Sequence, residues 1–305
     1  MTDTQKGLIS LILAQTLWGL SPLYYKAVAD VPAFEVLAHR TVWTCLLFGG
    51  YLAYQGRLHE LLTLMRGPKL RYVIPASLLI SVNWGLFIYA IQSGQALEAS
   101  FGYYVFPLVA TMIGMVAFRE RLRGLQVPAI VLAALAVLVL GIGLGALPWL
   151  ALSLAITFAS YGAIKKSLDA GPILSVTGEV VLLVPIALAY LIGAELFGWG
   201  GSATQPAGAF GHALSDSLLL IAAGLTTGVP LIFFATAARR LPMTVVGMGQ
   251  YWNSTIQFGL AVLIFGEPFT HWHAIAMPLI WAALALYSVQ AIRTETAARR
   301  VRRAG

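Results

Sequence analysis

Charge is the feature that this sequence lacks most. Only 10% of its 305 residues are charged, 59% are hydrophobic, and the mean hydropathy is +0.82. Ordinary soluble domains carry about 25% charged residues, so the composition excludes a soluble enzyme, a disordered regulator and a fibrous protein. The apolar runs are continuous rather than alternating with polar residues, which disfavours a β-barrel. The composition therefore predicts an all-α integral membrane protein.

Cysteine and the common catalytic motifs are also scarce. The single cysteine, Cys45, can form neither an intramolecular disulfide nor a cysteine-based metal cluster. There is no G-x-x-x-x-G-K-[ST] loop, so direct use of ATP is not expected, and we expect neither a cofactor nor a metal. The sequence also lacks HExxH, GxSxG and filter-like motifs. These absences disfavour an intramembrane enzyme and a channel or lipid flippase, which remain the alternatives to a transporter.

Uncharged apolar runs predict ten transmembrane helices. The run 124–164 is about twice the length of roughly 20 residues that one spanning helix needs, and Gly145 and Pro148 lie in its middle. We therefore interpret it as two helices joined by a tight turn. The other eight predicted spans cover residues 7–25, 33–55, 72–97, 99–118, 173–193, 217–238, 241–266 and 272–292.

The distribution of positive charge orients these helices. If the N-terminus is cytoplasmic, 17 of the 19 lysines and arginines fall in inner segments, and the other two are Lys26 and Arg40. Positive residues are retained on the cytoplasmic side of a membrane, so both ends of the chain are predicted to be cytoplasmic. Residues 293–305 form a basic tail that we expect to contact anionic lipids and not nucleic acid.

The two halves of the sequence resemble each other. A constant offset of 147 residues aligns the third and fourth spans with the eighth and ninth, pairing Phe87 with Phe234, Gly102 with Gly249, Tyr104 with Tyr251 and Glu120 with Glu267. An offset of 140 aligns His39 with Glu179. Because five is odd, a second five-span copy must enter the membrane from the opposite side. We therefore predict two inverted five-helix repeats, residues 1–145 and 146–292, a plan common among secondary transporters.

Short motifs are distributed over residues 5–292. They are Trp18-Gly19 with Pro22 and Lys26, His39-Arg40-x-x-Trp43, Asn83-Trp84, Glu98-Ala99-Ser100-x-Gly102-Tyr103, Phe106-Pro107-Leu108, Glu120-Arg121-Leu122, Tyr161-Gly162 and Gly266-Glu267-Pro268. In combination they resemble the RarD subfamily of the EamA transporters, in the drug/metabolite transporter superfamily. The resemblance implies a ten-helix permease of the bacterial inner membrane and leaves the substrate open.

One position departs from the pattern of that subfamily. Tyr251 is followed by Trp252-Asn253-Ser254-Thr255, where the family usually has a proline. A proline inside a helix removes a backbone hydrogen bond and kinks the helix. We therefore expect a weaker kink in the ninth span and a more polar pocket beside it.

Three ionisable residues inside the predicted spans are candidates for function, because charge within a membrane needs a partner or a water-filled cavity. Arg40 is interpreted either as a binding group for an anionic substrate or as a member of a structural ion pair. His39 could carry a coupling proton or pack as an uncharged residue. Glu179 is a second candidate for the coupling proton, and the alternative is a hydrogen-bonded structural acid. Glu98 suits a helix N-terminus, and Glu35 shares a helical face with His39.

Polar and aromatic residues at helical spacing complete the predicted substrate cavity. Uncharged polar stripes on buried helices face neighbouring helices or water rather than lipid, and Gln250, Asn253 and Gln257 form such a stripe. With Arg40, the candidates for the cavity are Trp18, Lys26, Asn83, Trp84, Tyr103, Tyr104, Tyr161, Gln250, Tyr251 and Asn253. The predicted function is secondary active transport of a small amphipathic metabolite or drug-like molecule by a monomer or homodimer, through alternating access with proton or exchange coupling.

Overall fold

The described part of the chain is entirely helical. The computed structural model describes residues 2–119, 122, 124–145, 147–168, 170–203, 205–241 and 243–304. Within these residues there are eleven α-helices and no strand. The helices are α1 (Asp3–Ala27), α2 (Ala33–Tyr54), α3 (Leu58–Arg66), α4 (Leu70–Gln92), α5 (Ala96–Phe118), α6 (Gln126–Leu144), α7 (Trp149–Leu168), α8 (Pro172–Phe197), α9 (Leu214–Ala238), α10 (Met243–Gly259) and α11 (His271–Ala304).

Length and hydropathy make this helical fold a multi-pass membrane protein. Among the described residues, seven helices are long and apolar enough to cross a bilayer: α1, α4, α5, α6, α8, α9 and α11. Many large apolar side chains on these helices face outward, including Val116, which is 86% exposed, and Leu138, which is 57% exposed. Such surfaces are stable against lipid chains, because lipid is as apolar as leucine.

Each predicted span overlaps a helix, and the long uncharged run divides where the sequence indicates, although the predicted span 72–97 runs past the end of α4 into α5. Helix α6 ends at Leu144 and is capped by Gly145, whose φ of 66° is left-handed, and α7 begins at Trp149. Glycine adopts this conformation without a steric penalty. The sequence did not predict α3, because nine residues are too few for a span, and it did not predict that α11 continues as a helix through the basic tail to Ala304.

The end of α10 differs from an ordinary α-helix. Residues Leu260–Ile264 continue it as a π-helical turn. A π-turn bends a helix without proline, so this segment has its own source of distortion even though the usual proline is absent. Gly266, two residues after this turn, has a left-handed φ of 66°. Arg119, which caps α5, lies 147 residues earlier and is also left-handed, with a φ of 54°.

Packing between helices follows a repeating pattern. Helix α1 packs on α9 and α10, and α7 packs on α4 and α5. Helix α2 packs on α9, and α8 packs on α4. These contacts correspond in pairs when the helices of the first half are aligned in order with those of the second half, that is α1, α2, α4, α5 and α6 with α7, α8, α9, α10 and α11. The contact of α1 with α9 then corresponds to that of α7 with α4, for example. The remaining large contacts, α2 with α8, α5 with α10 and α6 with α11, each join a helix to its own counterpart.

Two glycines lie against the backbone of a neighbouring helix. A Cβ on Gly224 of α9 would lie 2.7 Å from the backbone carbonyl carbon of Trp43 in α2. A Cβ on Gly102 of α5 would lie 2.6 Å from the backbone oxygen of Ala151 in α7. Small residues at such crossings let backbones approach in membrane proteins. Gly224 thereby brings α9 within reach of the Arg40 side chain.

Candidate functional site

Arg40 lies deep in the protein, between four helices. It follows the first residue of α2 by seven positions, about 10 Å at 1.5 Å per residue, and is 6% exposed. Its Nε donates to the Thr227 hydroxyl of α9 over 2.7 Å, and its Nη1 donates to the Tyr25 hydroxyl of α1 over 2.7 Å. The guanidinium carbon lies 3.9 Å from the ring centroid of Trp84 in α4. We call Arg40, Tyr25, Trp84 and Thr227 the arginine cluster.

The charge of Arg40 has no carboxylate partner in the described part of the chain. A guanidinium has five N–H donors in a fixed planar fork, and the two contacts above occupy two of them. An aromatic face such as Trp84 attracts a cation but leaves the donors free. The guanidinium of Arg40 therefore keeps donors that no contact among the described residues uses, and the alternative of a structural ion pair has no carboxylate partner among these residues.

Asn83 and Tyr103 connect the arginine cluster to α7. The Tyr103 hydroxyl donates to Asn83 Oδ1 over 3.1 Å, and Asn83 Nδ2 donates to the Leu154 carbonyl and the Thr157 hydroxyl. Asn83 is 1% exposed. Because both ends of its amide are hydrogen-bonded, Asn83 ties three helices together rather than offering a free group to a ligand.

Glu179 belongs to a second buried cluster, at the facing ends of α7 and α8. It is fully buried. Lys165 Nζ lies 2.5 Å from Glu179 Oε1, and the Tyr161 hydroxyl donates to Oε2 over 3.0 Å. Lys165 also donates to the Ser175 hydroxyl. We call Glu179, Lys165, Tyr161 and Ser175 the glutamate cluster.

A line of ring contacts joins the two clusters. Tyr25 contacts Phe87, Phe87 contacts Tyr103, Tyr103 contacts Phe158, and Phe158 contacts Tyr161, with centroid distances between 5.5 and 6.1 Å. Most of these pairs are edge-to-face, an arrangement that aromatic rings prefer. The site thus consists of a cation and an ion pair separated by an aromatic wall.

His39 faces away from both clusters. Its ring stacks on Phe210 at 5.0 Å, in a separate pocket between α2 and α8. Neighbouring residues on a helix point about 100° apart at 3.6 residues per turn, which is why His39 and Arg40 serve different surroundings. His39 and Glu179, paired in the sequence alignment, make no contact with each other among the described interactions.

The other predicted cavity residues lie at several places. Trp18 packs on Phe234 beside Trp84. Lys26 is exposed at the end of α1, 6.0 Å from the ring centroid of Phe265. The Tyr104 hydroxyl is 2.8 Å from that of Thr255. These residues are therefore not brought together with the arginine cluster, apart from Trp18.

The predicted polar stripe of α10 is partly closed on itself. Gln257 donates to Asn253 Oδ1 over 2.9 Å, and both side chains are buried. In the described part of the chain the Gln257 and Gln15 side-chain oxygens have no hydrogen-bond partner. Gln250 is half-buried, and Tyr251 packs towards α11.

Carboxylates near helix ends bind backbone amides. Glu98 accepts from Leu150 and Ala151 at the start of α7, rather than stabilising only its own helix. Glu267 accepts from Ala96 and Leu97 at the start of α5. Helix N-termini have free N–H groups and a partial positive charge, so both carboxylates have a structural role. The motif residues Glu120 and Arg121, together with Arg123 and Ala146, lie outside the described residues.

Sequence reasoning did not assign four members of the clusters, Tyr25, Thr227, Lys165 and Ser175, to the site. Tyr25 and Thr227 are the partners of Arg40, and no local pattern marks Thr227, which is 187 positions away. Lys165 lines up with Thr157 and Tyr161 on one face of the sixth predicted span, but the sequence did not identify it as the partner of the buried acid Glu179. No sequence pattern marks Ser175, which accepts a hydrogen bond from Lys165.

Comparison of the sequence with known proteins identifies its family. Residues 5–142 match the EamA-like transporter family. The RarD protein of Streptomyces exfoliatus is 41% identical over 293 residues, which cover 96% of this chain and 91% of that protein. The chain belongs to the RarD family of EamA-like membrane transporters. The uncharacterized transporter YojE of Bacillus subtilis is 36% identical to this RarD-family chain, covering 97% of it and 98% of YojE.

Two further comparisons concern a more distant relative and the fold. A chloramphenicol-sensitive RarD protein of Pseudomonas aeruginosa is 28% identical over 94% of each chain. One solved crystal structure superposes with a TM-score of 0.61 and 18% identity, covering 94% of this chain and 98% of the other. At that identity the likeness shows the fold alone. Membership of the RarD family and an all-helical membrane fold therefore agree with the expectation from the sequence motifs.

Proposed function

We propose that this RarD-family protein is a secondary active transporter of the bacterial inner membrane that moves a small amphipathic molecule bearing an anionic group. The proposal rests mainly on the surroundings of Arg40. This buried cation donates hydrogen bonds to Tyr25 and Thr227 and has no carboxylate partner in the described residues. A substrate anion would supply the missing countercharge. A hydrogen bond to a charged group contributes about 1.5–3 kcal/mol, and a planar carboxylate matches the guanidinium fork.

The apolar part of the substrate is assigned to the aromatic side chains beside Arg40. Trp84 is half-buried against the guanidinium, and Trp18 packs in the same apolar cluster. Tyr103 borders the cluster from α5. A site with one cation and aromatic walls favours a molecule with an anionic end and an apolar body, which is typical of small metabolites and many drugs.

Alternating access is assigned to two inverted five-helix repeats. The matching helix contacts of the two halves support this proposal, as do the left-handed residues Arg119 and Gly266 at an offset of 147. The proposed topology has ten spans with both ends in the cytoplasm, and α3 lies on the membrane surface. The basic tail contacts anionic lipids there, and the protein acts as a monomer or homodimer.

Proton coupling is assigned to Glu179. Protonation would remove the charge that holds Lys165 at 2.5 Å, so it would loosen the contact between α7 and α8. The ring contacts lead from the glutamate cluster to the arginine cluster, whereas His39 faces a separate pocket. His39 is the second candidate for coupling, and exchange of two substrates is the alternative to proton coupling.

Purified protein tests the proposal in two steps. A thermal-shift panel of carboxylates, amino acids, aromatic metabolites and amphiphilic drugs identifies ligands, and flux in proteoliposomes then distinguishes the mechanisms. We expect saturable uptake and counterflow exchange. Flux that rises linearly with concentration would instead indicate a channel, and chemical conversion of the ligand would indicate an enzyme.

A further inference from the structure

The pocket beside His39 lies between the beginning of α2 and the end of α8, apart from the arginine and glutamate clusters. Its volume is about 500 Å³, within the range of roughly 300–1,000 Å³ that is usual for small-molecule sites. We call it the lateral pocket, and it is lined by Glu35, His39, Val42, Trp43, Leu191, Ile192, Glu195, Leu196, Gly208 and Phe210. The proposed transport mechanism, with Glu179 as the proton carrier, does not use it.

Two carboxylates give this pocket a negative wall. Glu35 is 1% exposed, and among the described residues its oxygens accept only from the backbone amides of Gly208 and Ala209, at 2.9 and 2.7 Å. No cationic side chain pairs with it in the described part of the chain. Glu195 is half exposed at the rim, where its oxygen is 3.5 Å from His212 Nε2. A buried carboxylate without a countercharge is unfavourable in a membrane protein, so a cation in the pocket would be stabilised.

His39 offers an unoccupied hydrogen-bonding group to the same space. Its side chain is 6% exposed and lines the pocket, and neither ring nitrogen has a hydrogen-bond partner in the described residues. A neutral imidazole has one acceptor nitrogen. The ring stacks on Phe210, which also contacts Trp43 at 6.2 Å. These aromatic faces attract a cation as well.

The rest of the lining is apolar and open towards the outside of the helix bundle. Leu196 is 67% exposed and Ile192 is 57% exposed on α8, and Val42 faces them from α2. An occupant thus needs an apolar body of moderate size and a cationic head that donates hydrogen bonds.

We propose that the lateral pocket binds a lipophilic primary amine, with the ammonium group placed between His39 and the two glutamates and the apolar body against α8. This ligand is opposite in charge to the anion assigned to Arg40, so the two sites accept different compounds. The proposal does not depend on the transport function.

Binding of decylamine to the full chain tests this proposal. The protein is placed in phosphatidylcholine nanodiscs, and binding is measured by equilibrium dialysis with empty nanodiscs subtracted. Decyltrimethylammonium serves as a second probe, because it has the charge but no N–H donor. We expect decylamine to bind about tenfold more tightly than the quaternary analogue, since a hydrogen bond to a charged group contributes at least about one decade in affinity.

Matched variants locate the binding. Ile192→Trp fills the pocket from an exposed position and should abolish saturable binding, whereas Ile186→Trp, which is 66% exposed on the same helix outside the pocket, should not. Glu195→Gln should weaken decylamine several-fold, and Asp216→Asn, at the start of α9, should not. His39→Leu should weaken binding about tenfold, and His39→Gln, which restores an acceptor, should recover most of it.

Two results would overturn the proposal. Equal binding by the parent protein, Ile192→Trp and His39→Leu would mean that decylamine only partitions into the bilayer. Loss of decylamine binding when phosphatidylethanolamine replaces part of the phosphatidylcholine would mean that a lipid headgroup, rather than a small amine, is the occupant.

Discussion

Arg40 and Glu179 each follow the first residue of their helix by seven positions, on α2 and α8, which pack against each other. Both are buried and their charges are opposite. Glu179 is neutralised by Lys165, whereas Arg40 has only hydroxyl and aromatic partners in the described residues. The two helices therefore carry, at equivalent positions, one paired charge and one charge without a carboxylate partner among the described residues, and the latter is the proposed substrate group.

The first prediction concerns the affinity for an anionic substrate. Arg40→Gln should weaken apparent affinity by about one to two decades, because a charge-assisted hydrogen bond of about 1.5–3 kcal/mol is lost at about 1.4 kcal/mol per decade. Arg40→Lys keeps the charge without the planar fork and should recover only part of the affinity. Binding to the purified variants measures both effects.

An exposed arginine provides the control for that measurement. Arg71→Gln, near the start of α4, should leave affinity unchanged. Unchanged affinity in well-folded Arg40→Gln and Arg40→Lys proteins would remove Arg40 from the site. If both variants instead lose thermal stability without a change in affinity, the role of Arg40 is structural.

The second prediction concerns coupling. Glu179→Gln removes the group that binds the proton but keeps its size and one acceptor oxygen. It should therefore abolish uptake driven by a proton gradient and preserve counterflow exchange in proteoliposomes. His39→Gln should retain gradient-driven uptake, because His39 lies in the lateral pocket. The opposite pattern would assign the proton to His39, and normal accumulation in both variants would exclude both residues.

The third prediction concerns the stability of the ion pair itself. Lys165→Met leaves a buried carboxylate without its cation, and breaking a buried pair typically costs about 3–5 kcal/mol. The double variant Lys165→Met with Glu179→Gln removes both charges and should be more stable than Lys165→Met alone. Thermal unfolding of the two single variants and the double variant measures the difference. An additive result would show that the two groups do not interact.

The fourth prediction concerns topology. Reporter fusions after Gly56 and at the C-terminus should report a cytoplasmic location, and fusions at Gly145 and Gly201 should report an external one. The reason is the bias of 17 of 19 basic residues towards the proposed inner segments. An external C-terminus would contradict the ten-span proposal.

The sequence predicted the helical segments well because the membrane imposes a simple rule. A segment of about 20 apolar residues must satisfy its backbone hydrogen bonds internally and therefore becomes a helix. The turn at Gly145 was predictable for a local reason, since glycine tolerates a left-handed φ. The sequence did not predict the short helix α3, because a short amphipathic helix lacks the long apolar run by which the spans were recognised.

The site was less predictable because its partners come from distant parts of the chain. Arg40 was an evident anomaly in an apolar segment, but its contacts with Tyr25, Trp84 and Thr227 depend on how four helices pack. Lys26 belongs to a family motif and Tyr104 follows one, but neither side chain contacts the arginine cluster, because a family motif does not specify the direction of a side chain. Helical geometry alone distinguishes the directions of His39 and Arg40.

The final prediction tests whether close packing of α2 on α9 positions Arg40. A methyl group on Gly224 would meet the Trp43 backbone at 2.7 Å, and backbone atoms move less easily than a side chain. Gly224→Ala should therefore separate the two helices, lower stability by about 1–3 kcal/mol as overpacking does, and weaken substrate affinity by loosening the hydrogen bond from Arg40 to Thr227.

Gly50→Ala is the control. Gly50 lies on α2, the helix that carries Trp43, and an added methyl group meets no atom within 4 Å, so this change should be neutral or slightly stabilising. Thermal unfolding and ligand binding on both variants measure the two effects. Equal behaviour of Gly224→Ala and Gly50→Ala would show that the helices tolerate the added methyl group and that Arg40 does not depend on this contact.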